Sequence, residues 1–181
     1  MTLIDSHAHI YTKEFKEDIH DVIERSREAG VERIYMPNID HESIEDMMEL
    51  AEKYSRHCIP MMGLHPCSVG KDFEKQLYEV EELVAKEKFC AIGEMGTDLY
   101  WDKTFFEQQK EAFKIQSELA LKHDLPIVIH CRESIDETIE LVKPFADRGL
   151  KGVFHCFTGS VEQAELIIGM NFKLGLGGVT T

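Results

Sequence analysis

The feature that most constrains this chain is a regular alternation of short apolar segments with longer amphipathic ones. The short segments are typical of buried strands, whereas the longer ones carry apolar residues three or four positions apart, as helices do. Strands are predicted at residues 3–6, 31–36, 58–64, 89–93, 127–130, 152–155 and 172–176. Apolar strands separated by helices indicate a parallel sheet covered by helices, hence an α/β fold. An open doubly wound sheet and a closed barrel both satisfy this pattern.

Local signals mark where several helices begin and end. Gly30 follows the first amphipathic stretch, in the position where a left-handed residue commonly ends a helix. Capping boxes are predicted at three helix starts, formed by Thr104 with Glu107, Ser134 with Glu137, and Ser160 with Gln163. Pro144 lies late in the helix after Ser134 and is expected to bend or shorten it.

Length and composition indicate one globular domain over residues 1–181. No segment is apolar over the roughly 18 residues that a membrane helix needs, so no membrane partner is expected. Five scattered cysteines without a CxxC pair favour a reducing cytoplasm. The 20 Lys and Arg residues against 34 Asp and Glu give a net charge of −14. This charge opposes a broad basic face for nucleic acid, but it suits a cluster of acidic and imidazole groups that binds cations.

Two histidines follow the first predicted strand. His7 and His9 are two positions apart, so in extended chain both rings lie on one face, with their α-carbons roughly 6–7 Å apart. Two imidazole nitrogens at that distance can converge on one cation. The motif alone equally allows two histidines that cap the strand and bond to the backbone.

Three further titratable residues are placed at the carboxyl ends of predicted strands: Glu94, His130 and His155. Side chains in this position point into the mouth where parallel α/β folds place their sites. Burying four imidazoles and a carboxylate together would be costly without a cation to pair them. The five residues therefore predict a site for divalent ions of the zinc, manganese or iron type, with Glu94 able to bridge two of them. Cys131 and Cys156 each follow one of these histidines and are expected to pack beneath the helices.

Five motifs, in this order and spacing, make the chain resemble the TatD family of metal-dependent hydrolases. They are DSHAH at 5–9, GLHP at 63–66, GEMGTD at 93–98, HCR at 130–132 and HCFTG at 155–159. The resemblance implies a TIM-type (β/α) barrel that hydrolyses DNA phosphodiesters with one to three divalent ions, of the zinc, magnesium, manganese or iron type. It also implies that the metal ligands are His7, His9, Glu94, His130 and His155, with Glu94 bridging and catalytic.

The resemblance further places His65 and Arg132 near the scissile phosphate, as substrate-binding residues. A forked guanidinium such as that of Arg132 can hold a phosphate oxygen through more than one donor. From the residues alone, His65 can equally cap a helix or loop, and Arg132 can equally form a surface ion pair.

The chain departs from the family pattern in two places. Thr97 stands in GEMGTD where the family usually carries a hydrophobic residue. Family members are longer and carry a further metal-linked aspartate on an eighth strand, whereas this chain stops at Thr181, just after its seventh predicted strand. We therefore expect a C-terminal portion to be missing, leaving a barrel without its eighth strand and C-terminal helix. The first and seventh strands should then have unpaired edges.

The predicted function is metal-dependent hydrolysis of phosphodiester bonds, by resemblance as a DNase of the 3′–5′ exonuclease type. Two cations would activate water and clamp the phosphate oxygens. Because the chain is acidic, we expect few contacts to the nucleic acid backbone and a shallow dependence on salt. Two alternatives stay open. One is an amidohydrolase acting on a small amide or lactone, and the other is a catalytically impaired barrel that binds metal or protein.

Overall fold

The structure of the protein is a computed structural model that describes residues 2–180. Strands alternate with helices throughout this part of the chain. The strands are β1 (Leu3–Asp5), β2 (Val31–Pro37), β3 (Cys58–Met61), β4 (Ile92–Asp98), β5 (Ile127–Arg132), β6 (Gly152–Phe154) and β7 (Lys173–Leu174). The helices are α1 (Ile19–Glu28), α2 (Ile44–Lys53), α3 (Phe73–Lys86), α4 (Phe106–Lys122), α5 (Ile135–Ala146) and α6 (Val161–Gly169). The predicted alternation is confirmed, although β3 and β7 are shorter than predicted. None of these helices is long and apolar enough to cross a membrane.

All strand pairs are parallel, and the strands neighbour each other in chain order. The strands β1 to β3 form one ladder and β4 to β7 a second, and a bridge between Met62 and Ile92 connects the two. With one helix between each two successive strands, this is the order of a TIM-type (β/α) barrel. Within residues 2–180, β1 and β7 pair on one side only, as expected for the two edges. The apolar side chains of β1 are accordingly exposed, Leu3 by 38% and Ile4 by 52%.

Two apolar layers lie on opposite faces of the strands. The larger one fills the space between strands and helices and includes the fully buried Ile23, Met47 and Phe113. The smaller one contains Met61, Ala91 and Val128. Along β5, Ile127 and Ile129 belong to the helix-facing layer and Val128 to the other. Because side chains alternate along a strand, His130 faces the same side as Val128, towards the inside of the barrel.

The fourth and fifth strands extend further than predicted. β4 covers Ile92–Asp98 rather than 89–93, and β5 covers Ile127–Arg132 rather than 127–130. Glu94 and His130 therefore lie within their strands, and the prediction that they end them was wrong. The reason is that polar residues of β4, among them Glu94 and Thr97, are buried and hydrogen-bonded inside the fold. Polarity in the sequence therefore did not mark the strand end.

Some of the helix signals hold and others do not. Gly30 follows α1 with a φ of 85°, and Ser160 forms its capping box at α6. The capping boxes at Thr104 and Ser134 were wrong, because no side chain caps α4 and the Ser134 hydroxyl instead donates to the carbonyl oxygen of Thr97. Helix α5 continues through its proline and ends two residues beyond it.

β4 and β5 approach each other closely at Gly96, which is paired with His130 and has a φ of 153°. A Cβ atom at this position would lie 1.8 Å from the carbonyl oxygen of His130. Because no side chain fits there, the glycine sets the distance between the strand that carries Glu94 and the strand that carries His130.

Replacing Gly96 with Ala should therefore destabilise the fold, by about 1–3 kcal/mol or more, since the two strands must move apart. Gly169→Ala is the matched control: it lies at the end of α6, where an added Cβ meets nothing within 4 Å. The control should leave stability unchanged or slightly raised. Urea denaturation followed by circular dichroism measures both variants. Equal midpoints for the two would contradict this account of the close approach.

Candidate metal centre

The buried carboxylate of Glu94 lies at the centre of the predicted site. Its side chain is 3% exposed, and its two oxygens face different histidines. Oε2 lies 3.0 Å from Nε2 of His7 and 3.2 Å from Nε2 of His9. The two ring nitrogens are 3.2 Å from each other. The fold thus brings together a carboxylate on β4 and two rings that follow β1.

The other oxygen of Glu94, Oε1, faces His130 and His65. It lies 3.1 Å from Nδ1 of His130 and 3.8 Å from Nε2 of His65. The two rings meet edge to face, with their centroids 4.5 Å apart. Glu94 therefore presents one oxygen to each of two groups of imidazoles, which is the arrangement that a bridging carboxylate requires.

His155, the remaining predicted ligand, lies beside His7. The two rings stack, with centroids 3.4 Å apart and planes inclined by 13°. His155 follows β6, so the residues of this cluster lie on or just after four strands, β1, β4, β5 and β6. Three of the predicted histidine ligands contact Glu94 directly, and His155 reaches the cluster through His7.

Hydrogen bonds determine which nitrogen of His9 carries the proton. The Tyr11 hydroxyl donates its proton to the carbonyl oxygen of Pro37, at 2.5 Å, and must therefore accept from Nδ1 of His9, at 2.9 Å. Burial raises the pKa of Tyr11, so the hydroxyl keeps its proton. Nε2 of His9 is left with a lone pair on the side of Glu94, the form in which imidazole binds a metal. Tyr11 lies outside the five motifs and was not among the predicted site residues.

His65 carries its proton on Nε2, whereas His9 carries it on Nδ1. The backbone N–H of Cys67 donates to Nδ1 of His65, at 3.1 Å, so the neutral ring is protonated at Nε2, the atom that faces Glu94. Burial, its largest influence, lowers the pKa of His65 to about 4, so the ring is neutral near pH 7. His65 also caps the short helix Pro66–Ser68. The predicted capping alternative is therefore confirmed, and the same ring offers an N–H donor to the site.

Asp98, at the end of β4, is a site residue that the sequence analysis did not single out. Its Oδ2 lies 2.9 Å from Nε2 of His130, and its Oδ1 accepts from the backbone N–H groups of Tyr100, at 2.8 Å, and Trp101, at 3.0 Å. Asp98 is thereby fixed on both sides and orients the His130 ring. A signal was available, since Asp98 closes the GEMGTD motif and a carboxylate at the end of a barrel strand is typical of a site.

The carboxylates keep their charge although they are buried. Burial alone would raise the pKa of Glu94, but hydrogen bonds from His130 and His7 hold it well below the usual range. Burial would raise the pKa of Asp98 as well, but hydrogen bonds from backbone N–H groups and from His130 lower it by more. Burial would lower the pKa of His130, but the two carboxylates raise it. For His155, burial and then the neighbouring His7 lower the pKa to about 4.

Arg132 lies at the mouth of the barrel, two residues beyond His130. Its guanidinium carbon is 3.6 Å from the ring centroid of Tyr100 and 5.5 Å from that of Trp101. Within residues 2–180 Arg132 forms no ion pair, so the alternative of a surface ion pair was wrong. The guanidinium is held on an aromatic surface and is exposed to solvent.

The donor set fits a divalent cation. Nε2 of His7, Nε2 of His9 and Oε2 of Glu94 are 3.0–3.2 Å apart, close to the roughly 3.0–3.4 Å expected between ligands that bind an ion at about 2.1 Å. The buried Nδ1 of His7 has no hydrogen-bond partner among the described residues, so this ring depends on Nε2 for its interactions. A second group with ligand atoms within 4.8 Å of one another consists of His65, Cys67 and His130. Cys67 was not among the predicted site residues.

Known proteins resemble this chain over nearly its whole length. The sequence profile of a family described as TatD related DNase matches residues 4–181. The metal-dependent hydrolase YabD of Bacillus subtilis (strain 168) is 39% identical over 179 residues, covering 99% of this chain and 70% of YabD. A 3′–5′ ssDNA/RNA exonuclease TatD of Yersinia pseudotuberculosis serotype O:3 is 29% identical over 176 residues, covering 97% of this chain and 68% of that protein. The crystal structure of YjjV, a TatD homolog from Escherichia coli K12, superposes with a TM-score of 0.91 at 31% identity, covering 99% of this chain and 69% of YjjV.

Barrel, site and relatives together define a metal-dependent hydrolase of the TIM-barrel type. The chain belongs to the TatD-related DNase family. The family resemblance predicted from the five motifs is therefore confirmed, and so is the predicted fold class.

Removing the charge of Glu94 should abolish cation binding at this centre. For chelator-treated wild-type protein, added Mn²⁺ should raise the melting temperature, because a ligand that binds the folded state alone stabilises it by about 2.7 kcal/mol at 100 times its Kd. Glu94→Gln should lose most of this rise, since it keeps the shape of the side chain but not the charge. Calorimetry at several Mn²⁺ concentrations measures the effect.

The control for this experiment is Glu79→Gln, whose carboxylate pairs with His41 on the surface. It should respond to Mn²⁺ as the wild type does. An equal rise in melting temperature for Glu94→Gln and the wild type would show that the cation binds elsewhere.

Proposed function

We propose that this protein hydrolyses the phosphodiester bonds of DNA with the help of divalent cations, releasing nucleotides from the 3′ end. The observation that carries the proposal is the Glu94 carboxylate, whose two oxygens face separate groups of imidazoles. A carboxylate in this position suits two cations side by side, as phosphodiester hydrolysis uses them. The name of the Yersinia pseudotuberculosis relative, a 3′–5′ ssDNA/RNA exonuclease, supports the substrate class and the direction.

The predicted ligands divide between the two oxygens of Glu94. His7, His9 and Oε2 would hold one cation, and His130 with Oε1 a second, while His155 joins the centre beside His7. Divalent cations here would activate water as the nucleophile and neutralise charge that develops on the phosphate. Imidazole and carboxylate donors suit one to three ions of the zinc, magnesium, manganese or iron type.

Asp98 acts in this scheme as a positioning residue. Its Oδ2 accepts the proton of Nε2 of His130, which directs Nδ1 of the ring at Oε1 of Glu94. Carboxylates that pair with a metal-binding histidine in this way hold the ring in one tautomer and one orientation. The backbone N–H bonds to Oδ1 keep Asp98 itself in place.

His65 and Arg132 would contact the phosphate. Nε2 of His65 bears a proton and lies on the same side of Glu94 as His130. Arg132 offers forked N–H donors, which match phosphate oxygens. Since His65 faces Oε1 and Arg132 lies two residues beyond His130 on β5, the scissile phosphate is expected beside His130 rather than beside His9.

The acidic charge favours a second candidate function, hydrolysis of a small amide or lactone. A chain with a net charge of −14 repels a polyanion but not a small neutral substrate. The two candidates use the same cluster of His7, His9 and Glu94. They differ in whether a phosphate must be bound, which is the task assigned to His65 and Arg132.

An activity assay with two classes of substrate separates the candidates. Chelator-treated protein reloaded with Mn²⁺ should shorten a 5′-labelled single-stranded DNA oligonucleotide from its 3′ end and should not turn over a panel of amides and lactones. Glu94→Gln should abolish the activity. Asp98→Asn should lower it about 10- to 100-fold, as loss of a histidine-orienting partner does. Glu79→Gln serves again as the control. Turnover of the panel with the oligonucleotide intact would establish the second candidate.

The salt dependence of binding tests how the substrate is held. Because Arg132 is the basic residue that this site provides, we expect affinity for a single-stranded oligonucleotide to fall with a log–log slope of about −1 to −2. Arg132→Gln should make the slope shallower by roughly 0.7. Fluorescence anisotropy between low and moderate salt measures it. A slope steeper than about −4 would reveal a basic surface that this account lacks.

A further inference from the structure

We infer that Tyr100, Trp101 and Arg132 form an aromatic platform on which a nucleobase next to the scissile phosphate stacks. The inference rests on the proposed function and deepens it, because it names the residues that would hold the base beside the scissile phosphate. A base inside a duplex is stacked on its neighbours and paired, so it cannot lie on a protein side chain until it is released.

The two aromatic side chains of the platform are exposed to solvent. Tyr100 is 45% and Trp101 69% exposed, and their rings meet edge to face with centroids 4.8 Å apart. Large exposed aromatic groups beside a polar centre mark a surface that binds a ligand. Trp101 also borders a cleft of about 260 Å³, which Pro66 and Phe105 line as well. The exposed indole therefore lies at the edge of a cleft whose lining includes apolar groups.

The platform is tied to the metal centre through a single carboxylate. Oδ1 of Asp98 accepts the backbone N–H groups of both Tyr100 and Trp101, while Oδ2 holds the ring of His130. His130 in turn faces Oε1 of Glu94. The backbone that carries the two aromatic rings is thus held close to the atoms assigned to the phosphate, as a subsite for the adjoining base requires.

Arg132 adds a positive charge to the aromatic surface. Its guanidinium stacks over Tyr100 at 3.6 Å from the ring centroid, so its flat face is occupied while its N–H edge is available to a phosphate. A nucleotide presents the same two features, an anionic phosphate and an aromatic face. Base stacking with few polar contacts is tolerant of sequence. The platform is therefore expected to accept all four bases and to favour purines, which stack over a larger area.

The inference can be tested without turnover, because Trp101 is the one tryptophan in the sequence. In Mn²⁺-loaded protein, deoxyadenosine 5′-monophosphate should quench the indole fluorescence on excitation at a wavelength that adenine does not absorb. 2-Deoxyribose 5-phosphate, which has the same phosphate and sugar but no base, should bind more weakly and should not quench. Quenching of equal size by both compounds would overturn the inference.

Variants of the platform provide a second measurement. Calorimetric titration should show that Trp101→Ala reduces the preference for deoxyadenosine 5′-monophosphate over 2-deoxyribose 5-phosphate about 10-fold, whereas Trp101→Phe retains most of it. Tyr78→Ala is the matched control, since Tyr78 is 64% exposed on α3, away from the platform. An unchanged preference in Trp101→Ala would also overturn the inference.

The platform and the nuclease proposal can each be refuted independently of the other. Base-dependent quenching in a protein that leaves oligonucleotides intact would support the platform and refute the nuclease proposal. Hydrolysis of the oligonucleotide without base-dependent quenching would support the nuclease and refute the platform.

Discussion

The structure depends on one buried anion. Glu94 is almost fully enclosed, and an isolated carboxylate in such a position would be neutralised or would destabilise the fold. Here three histidines, which come from the end of β1 and from β5, lie within hydrogen-bond distance of its oxygens. Each of these contacts requires the strands to be correctly placed, and Gly96 allows the close approach of β4 and β5. The contacts of Glu94 therefore determine both the placement of the strands and the chemistry of the site.

The histidines around Glu94 have the same side chain but different surroundings, and so different uses. The Tyr11 hydroxyl accepts a hydrogen bond from Nδ1 of His9, which leaves Nε2 with a lone pair. The backbone of Cys67 occupies Nδ1 of His65 and leaves Nε2 with a proton. A ring with a lone pair suits a cation, and a ring with an N–H suits a phosphate oxygen. The division of roles within the site follows from neighbours that do no chemistry themselves.

Much of this could be predicted from sequence, and the remainder could not, for physical reasons. Strand–helix alternation indicated an α/β fold, and the spacing of His7 and His9 predicted that their rings converge. The bounds of β4 were wrong because Glu94 is buried inside its strand, where hydrogen bonds offset its polarity. Tyr11 acts through a hydrogen bond to Pro37, 26 residues further along the chain, which no local pattern contains. Asp98 closes the GEMGTD motif, but its partner His130 lies 32 residues away. Thr97, a departure from the family pattern, is explained by its bonds to Ser134 and Thr138 on the α5 side.

The position of His7 just after β1 has a consequence for how the centre is held together. This short strand delivers His7 to the site but gains hydrogen bonds from β2 alone among its neighbours in residues 2–180. A cation bound jointly by His7 and Glu94 would cross-link positions 87 residues apart, and so close a long loop of the chain. The ion and β1 would then stabilise each other, because the ion ties the chain that follows β1 to β4.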